Sequence, residues 1–311
     1  MQKLVEVRRR TATVRSIRSV ASTLATVASA KLSRTRERAA GVRSYAERMR
    51  AVVRRQQAAA AAAGVDVVTL SPFLQPHPEV RRVLLLHISG DRGMCGAYNS
   101  AIDREAGEFV RSRLAEGVAV AAYAKGLKGE KYLRRRTKAD VVGAAGWPRA
   151  GVTADEVDEL CGRLSGVYLS GEADEVWCAY TRFYSPLRRY PDVVRLLPLV
   201  FEGGSPAPDG EEVARVPRWF YEPDIGSILG ELLGIFLRLQ VFDVLLESYA
   251  AEQGARMITM EEATERADRS LQELTVAYNR LRREVITGDL LGVLFASALR
   301  EGEHAEAGSN A

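Results

Sequence analysis

Leu246–Val285 reads LESYAAEQGARMITMEEATERADRSLQELTVAYNRLRREV, and its spacing decides the fold. Apolar residues fall at Leu246, Ala250, Met257, Met260, Ala267, Leu271, Leu274, Tyr278, Leu281 and Val285, stepping by three, four or their sums. That is the period of a coiled-coil seam and not of a strand. Glu252, Arg256, Glu261, Glu262, Arg266, Arg269, Glu273, Arg280 and Arg283 fall on the opposite faces. The surrounding stretch, Ile228 to Leu299, contains no proline. A helix of about 70 residues extends roughly 105 Å. Such a helix cannot bury its stripe in an ordinary core and requires a partner helix.

The partner is legible at the other end of the chain. Residues 1–57 contain no proline and one glycine, Gly41. Their seam runs Val14, Ile17, Ala21, Leu24, Ala28 and then Ala39, Val42, Ala46, Met49, Val53. The alanines in it allow two backbones to approach closely. Arginines crowd the polar side, with Arg8, Arg9, Arg10, Arg15, Arg18, Arg34, Arg36, Arg38 and Arg43. They form either a solvated face or a basic surface for acidic partners. The helix is expected to end at Gly64.

Between these helices the grammar changes. Val83–Ile88 is a short apolar run followed by Ser89-Gly90, which reads as a buried parallel strand. Ser100–Glu116 reads as a helix, Val118–Ala124 as a strand, and the basic stretch after Gly126 to Arg136 as a helix. Asp140–Val142 is a short strand. Thr153 and Glu156 form a capping box that opens a helix to about Leu169. Glu175–Phe183 and Val193–Val200 are strands, held apart by Ser185-Pro186 and Tyr190-Pro191 and suited to an antiparallel edge pair. Phe201 to Arg218 reads as a loop. The predicted class is α/β: a long antiparallel coiled coil of N- and C-terminal helices with an inserted Rossmann-like α/β domain. The expected divisions are 1–64 and 219–300 for the helices, 80–202 for the inserted domain and 301–311 for a flexible tail.

The 311 residues are 47% hydrophobic and 27% charged, with a net charge of +4. That fits a soluble globular protein, and the charge alone does not indicate nucleic-acid binding. No apolar run is long enough to cross a bilayer. Met1–Arg10 is charged and lacks an apolar core, so no secretory signal is expected. Cys95, Cys161 and Cys178 are far apart and include no CxxC, which suits reduced thiols. His77, His87 and His304 cannot make a histidine-rich metal site.

One turn lies where nucleotide sites sit in open α/β sheets: Asp91, Arg92, Gly93, Met94, Cys95, Gly96, Ala97, Tyr98 and Asn99 follow a strand and precede a helix. Its spacing matches neither GxxxxGK[ST] nor GxGxxG, and no histidine is near Cys95 to act as a base. A structural turn is the expectation, with a small-molecule enzyme built around it, or a free-standing coiled-coil scaffold, as the alternatives. No cofactor is expected.

Three segments together resemble the gamma subunit of F-type ATP synthases. They are Val27-Ala28-Ser29-Ala30-Lys31-Leu32 with Tyr45–Met49; Asp91–Gly96 with Asn99, similar to DRGLCGxxN; and Tyr221-Glu222-Pro223, Glu252–Met257, Tyr278–Arg280 and Ile286-Thr287, similar to YEP, SEQAARMxAM, YNKxRQ and ITxE. The resemblance implies a non-catalytic rotor shaft, peripheral at the cytoplasmic face of a bacterial inner membrane. Its helices would enter a hexamer of α and β subunits, and its inserted domain would meet the epsilon subunit and the membrane c-ring. Coupling contacts are then expected at Arg8, Arg9, Arg10, Lys31, Arg282, Arg283, Thr287 and Asp289, and a foot turn at Asp91, Arg92, Gly93, Cys95, Gly96 and Asn99. Antiparallel pairing would bring the early and late arginines to comparable heights. The family's RQxxITxE reads here Arg282-Arg283-Glu284-Val285-Ile286-Thr287-Gly288-Asp289. These departures imply coupling contacts rebuilt in a matching β partner. With the stretch after Glu301 they point to a divergent bacterial enzyme, proton- or sodium-coupled.

Overall fold

Strand β1 (Arg82–Ile88) places Leu84, Leu86 and Ile88 on one side of its pleat and Leu85 on the other, and all four are fully buried. Burial at that level contributes about 1.5–3 kcal/mol for each side chain. The computed structural model describes residues 2–62, 71–148, 150–200 and 225–309. Around β1 lie β2 (Ala119–Lys125), β3 (Asp140–Ala145), β4 (Glu175–Phe183) and β5 (Arg189–Leu197) in the order β3-β2-β1-β4-β5. The first four strands are parallel, and β5 runs antiparallel to β4. Helices α2 (Tyr98–Ala115) and α3 (Leu127–Arg136) cover the Leu85 face, where Ile102, Val110 and Leu133 close a core with Val120 and Ala122. On the opposite face Leu84, Leu86 and Ile88 pack with Val157, Leu160 and Leu164 of α4 (Ala154–Leu169) and with Leu233, Leu237 and Val241 of the C-terminal helix. The capping box is formed as expected, with Thr153 accepting from Glu156 N and Glu156 accepting from Thr153 N.

Two strands differ from the reading above. β3 runs on to Ala145, and β5 begins at Arg189 and takes in Tyr190 and Pro191. β5 is an edge strand, where proline's missing N–H can face outward without breaking a ladder. The turn between β4 and β5 is only Tyr184–Arg188, closed by Arg188 N donating to Ser185 O.

The terminal helices are α1 (Gln2–Ala62) and α5 (Ile225–Ser309). Two compact units divide them. Residues 27–259 hold the sheet together with the inner parts of both helices, and Met1–Thr26 with Met260–Ala311 hold the outer parts. In the first unit Arg38 lies over Phe242 and Arg50 over Phe236, an antiparallel register, and Met49 and Val53 join the main core. In the second, Ala21 and Ala25 pack with Met260, and Arg18 pairs with Asp268, again antiparallel.

The N-terminal seam holds except at Ile17. Ala21, Ala28, Ala46, Met49 and Val53 are buried as expected, but Ile17 is exposed. The buried and half-buried positions run 4, 7, 11, 14, 21, 24, 25, 28, 31, 32, 35, 39, 42, 46, 49 and 53. At this level both Ile17 and Arg18 are exposed, and Arg18 pairs with Asp268 across the helix pair. The C-terminal seam holds at Met260, Ala267, Leu271, Leu274, Tyr278, Leu281 and Val285, all buried or half-buried. Residues 301–309 continue the C-terminal helix, and Glu301, Glu303, Ala305, Glu306 and Ala307 all favour a helix. The expected end at Gly64, the loop Phe201–Arg218, the Tyr221-Glu222-Pro223 motif and residues 310–311 lie outside the described residues.

Candidate functional site

The turn after β1 is built from within. Gly90 N donates to Asn99 Oδ1 at 2.8 Å, and Asn99 Nδ2 donates to Arg92 O at 3.1 Å and to Cys95 Sγ at 3.3 Å. One side chain thus ties the start, middle and end of the loop together. Met94 and Gly96 take left-handed backbone, at φ 62° and 56°. Gly96 meets that cost freely because it has no Cβ. Asp91 reaches outward. Its Oδ1 accepts from Leu127 N at 2.9 Å, at the start of α3, and its Oδ2 accepts from Trp147 N at 2.8 Å, after β3. The Trp147 indole donates to Ser89 O at 2.6 Å, and Lys125 lies 5.1 Å from the Trp147 ring and pairs with Glu156.

Helix α5 crosses the carboxyl ends of β1 and β4, which is the switch point of this strand order and the place where a doubly wound sheet binds nucleotides. Ser248 Oγ accepts from Thr181 N at 3.1 Å, and Tyr98 Oη donates to Ser248 O at 3.2 Å. The Glu252 carboxylate lies against Gly90, so close that a Cβ there would stand 2.9 Å from Oε1. Arg256 pairs with Glu252 and approaches the Gly93 carbonyl at 3.5 Å. The crevice is therefore filled by the chain's own helix and carries a carboxylate, which repels phosphate. Burial pushes the Glu252 carboxyl up, and Arg256 pulls against it, with Lys31 adding a weaker pull. Burial also pushes the Cys95 thiol up, away from the reactive thiolate. Among the described residues there is no cluster of histidine, cysteine and carboxylate that could hold a metal.

Asp91, Arg92, Gly93, Cys95, Gly96 and Asn99 are thus brought together as one turn, with Cys95 and Asn99 inside it and Arg92 and Gly93 exposed. Glu252 and Arg256, assigned above to the polar side of a seam, are a correction: Glu252 is 4% exposed and both contact the turn. The inner part of α5 is surrounded by protein, so the one-sided stripe does not apply there. Ser248, Trp147, Lys125 and Glu156 carried no distinguishing signal in the sequence, apart from Glu156's place in the capping box.

The expected coupling residues fall into separate places. Lys31 is half-buried in the unit that holds Glu252. Arg8, Arg9, Arg10, Arg282, Arg283 and Thr287 are exposed in the other unit, and among the described residues none of these arginines has an ion-pair partner. Counting about ten residues outward from the Arg18–Asp268 pair brings Arg8 level with Tyr278, and about fourteen brings Leu4 level with Arg282. The early and late arginines are therefore within about two helical turns of one another. The Asp289 side chain lies outside the described residues.

Comparison with known proteins places this geometry. The family model described as ATP synthase matches residues 3–298. The chain is 33% identical over 305 residues to the ATP synthase gamma chain of Dehalococcoides mccartyi strain BAV1, covering 96% of this chain and 99% of the relative. It is 34% identical over 307 residues to the ATP synthase gamma chain of Chlorobaculum tepidum, covering 97% and 100%. Among solved structures, it is similar to a chain of the central stalk and c-ring of the Tetrahymena thermophila mitochondrial ATP synthase. That match has a TM-score of 0.57 and 20% identity, and covers 78% of this chain and 99% of that one. A chain of the Euglena gracilis mitochondrial ATP synthase matches with a TM-score of 0.53 and 14% identity, over 90% and 95%. On the family match and the extent of these relatives, the chain belongs to the ATP synthase gamma chain family.

Proposed function

We propose that this chain is the rotor shaft of a rotary F-type ATP synthase, a non-catalytic subunit that couples ion flow through a membrane ring to ATP synthesis or hydrolysis elsewhere in the complex. The observation that carries the reading is the antiparallel pairing of two helices, 61 and 85 residues long, drawn from the two ends of the chain. Helices of that residue count are far longer than a core needs, and a long helix pair suits the transmission of torque. The filled crevice at the switch point supports the same reading, since it removes the natural place for a nucleotide. No observation favours a small-molecule enzyme.

The partners in this reading are the α and β subunits of the catalytic hexamer, the epsilon subunit and the c-ring, with the chain peripheral on the cytoplasmic face of a bacterial membrane. No helix of the described residues is long and apolar enough to cross one. Arg8, Arg9, Arg10, Arg282, Arg283, Thr287 and Asp289 are the proposed contacts with the hexamer, Lys31 braces the foot, and the coupling ion is a proton or sodium. Arginine suits contacts that form and break, because its charge does not titrate and its fork accepts carboxylates from several angles.

The test is co-purification with a catalytic hexamer and ATPase assay of each fraction. The expected result is turnover in the complex and none in the isolated chain. Turnover by the pure chain that disappears on Asp91→Ala or Cys95→Ala would overturn the proposal.

A further inference from the structure

A parallel sheet is ordinarily covered on both faces. Here one corner is bare. α2 and α3 cover the Leu85 face, but on the opposite face β2 and β3 are covered only in part beside α4. A half-open groove of about 550 Å³ remains, lined by Leu84, Ala121, Tyr123, Val142 and Val167. Val142 is 53% exposed. Arg82 and Arg163 stand at the groove with Asp140 and Glu172, and Arg163 stacks on Tyr123 at 4.9 Å.

The groove lies beside an open strand edge. The two edges of the sheet are unlike. β5, RYPDVVRLL, is blunted by Pro191, two arginines and an aspartate. β3, DVVGAA, has one charge at its start and then Val141-Val142-Gly143-Ala144-Ala145, with no proline, lysine or arginine. Natural edges that must stay unpaired are usually guarded by charge, proline or cover. Asp140 and Glu172 stand at the groove, but the exposed charge on the neighbouring helix is mostly basic. On α3, which packs on β3, Lys128, Lys131 and Arg135 share one face at i, i+3 and i+7, followed by Arg136 and Lys138. All five are exposed, and none has an ion-pair partner among the described residues.

We infer that the β3 edge is a docking site for an extended strand of an acidic partner chain. The partner's backbone would continue the sheet beyond β3. Its alternate apolar side chains would enter the groove beside Val142 and Tyr123, and its carboxylates would face the α3 cations. Strand addition of this kind takes affinity from main-chain hydrogen bonds and specificity from pockets for alternate side chains. The inference deepens the proposed function by naming where and how one subunit joins the rotor.

The experiment is hydrogen–deuterium exchange on the purified complex and on the isolated chain, with Val142→Lys and the double reversal Lys131→Glu/Arg135→Glu as variants. In wild type the β3 amides should exchange at least tenfold more slowly in the complex than in the isolated chain. Both variants should melt like wild type as isolated chains, because the altered side chains are exposed. In the assembly they should lose the β3 protection and deplete one acidic subunit, while the catalytic hexamer still co-purifies. Equal β3 exchange in an intact complex and in the isolated chain would overturn this inference alone, as would slow exchange already present in the isolated chain. Failure of wild type to bring down the hexamer would overturn the rotor reading and this one with it.

Discussion

The carboxylate of Glu252, on the long C-terminal helix, stands 2.9 Å from where a side chain on Gly90 would begin. Glu252 is almost fully buried and tied to Arg256, so its end is not free to swing aside. The same added methyl would stand 3.1 Å from Asn99 Oδ1, the acceptor of Gly90's own N–H. The turn and the helix are thus fitted to each other through a glycine whose φ is unremarkable, and the constraint is the close approach and not the backbone.

Gly90→Ala should therefore destabilise the fold by about 1–3 kcal/mol, the usual range for overpacking a tight site. Urea unfolding checks it. Combined with Glu252→Ala, the loss should be less than the sum of the two single changes, because the contacting partner is gone. Strict additivity would mean the strain lies elsewhere.

Glu252 also carries a pH dependence. Burial raises its pKa in the folded state, so the protonated form is favoured by folding. That contribution is fully present below the ordinary carboxylate pKa and is lost as pH rises through the raised folded value. Glu252→Gln keeps the shape without the charge. Its stability relative to wild type should improve on going from pH 4 to pH 7.5, read by urea unfolding at each pH. A change in the opposite direction would mean that attraction to Arg256 outweighs burial.

How far the fold was legible depends on which physical term dominates each segment. Val83–Ile88 and the capping box of Thr153 and Glu156 are local signals, and both are realised. Ile17 misled because it has the seam's spacing and apolarity but is exposed, and the contact made across the helix pair at this level is the surface pair of Arg18 with Asp268, about 250 residues away in the chain. Glu252 and Arg256 misled for the converse reason. Spaced i and i+4 they look like a solvated ion pair, and only the sheet packed around α5 makes them interior. The turn from Asp91 to Asn99 was found, but its anchors Ser248 and Trp147 come from distant elements and left no mark in its local sequence. Long-range packing, not local propensity, decides such contacts.

The outer helix pair offers a graded test. Leu274 is buried, and Leu281, one heptad along, is half-buried. Leu274→Asp places a charge in an apolar seam without a partner, which should cost about 3 kcal/mol or more. Leu281→Asp should cost less, because its carboxylate keeps some water. Helical circular dichroism and urea unfolding of the isolated chain check both, and equal effects would contradict the burial difference.

The basic collar separates stability from coupling. Arg282 and Arg283 are exposed, and among the described residues neither has an ion-pair partner, so replacing both with alanine should change the stability of the isolated chain by no more than about 0.5 kcal/mol. If they meet acidic loops of a surrounding hexamer, each contact is worth only ~0–1 kcal/mol, weak enough to break as the shaft turns. The double variant should then assemble normally but show lower coupled turnover. The deficit should be greatest at low salt and shrink as ionic strength rises, because salt weakens the wild-type contacts that the variant lacks. ATPase rate and ion pumping of the purified complex across a salt series measure it. Rates and pumping equal to wild type at every salt would identify the arginines as a solvated face. A deficit that does not vary with salt would place their role in packing, with the aliphatic stems of the side chains and not their charge making the contact.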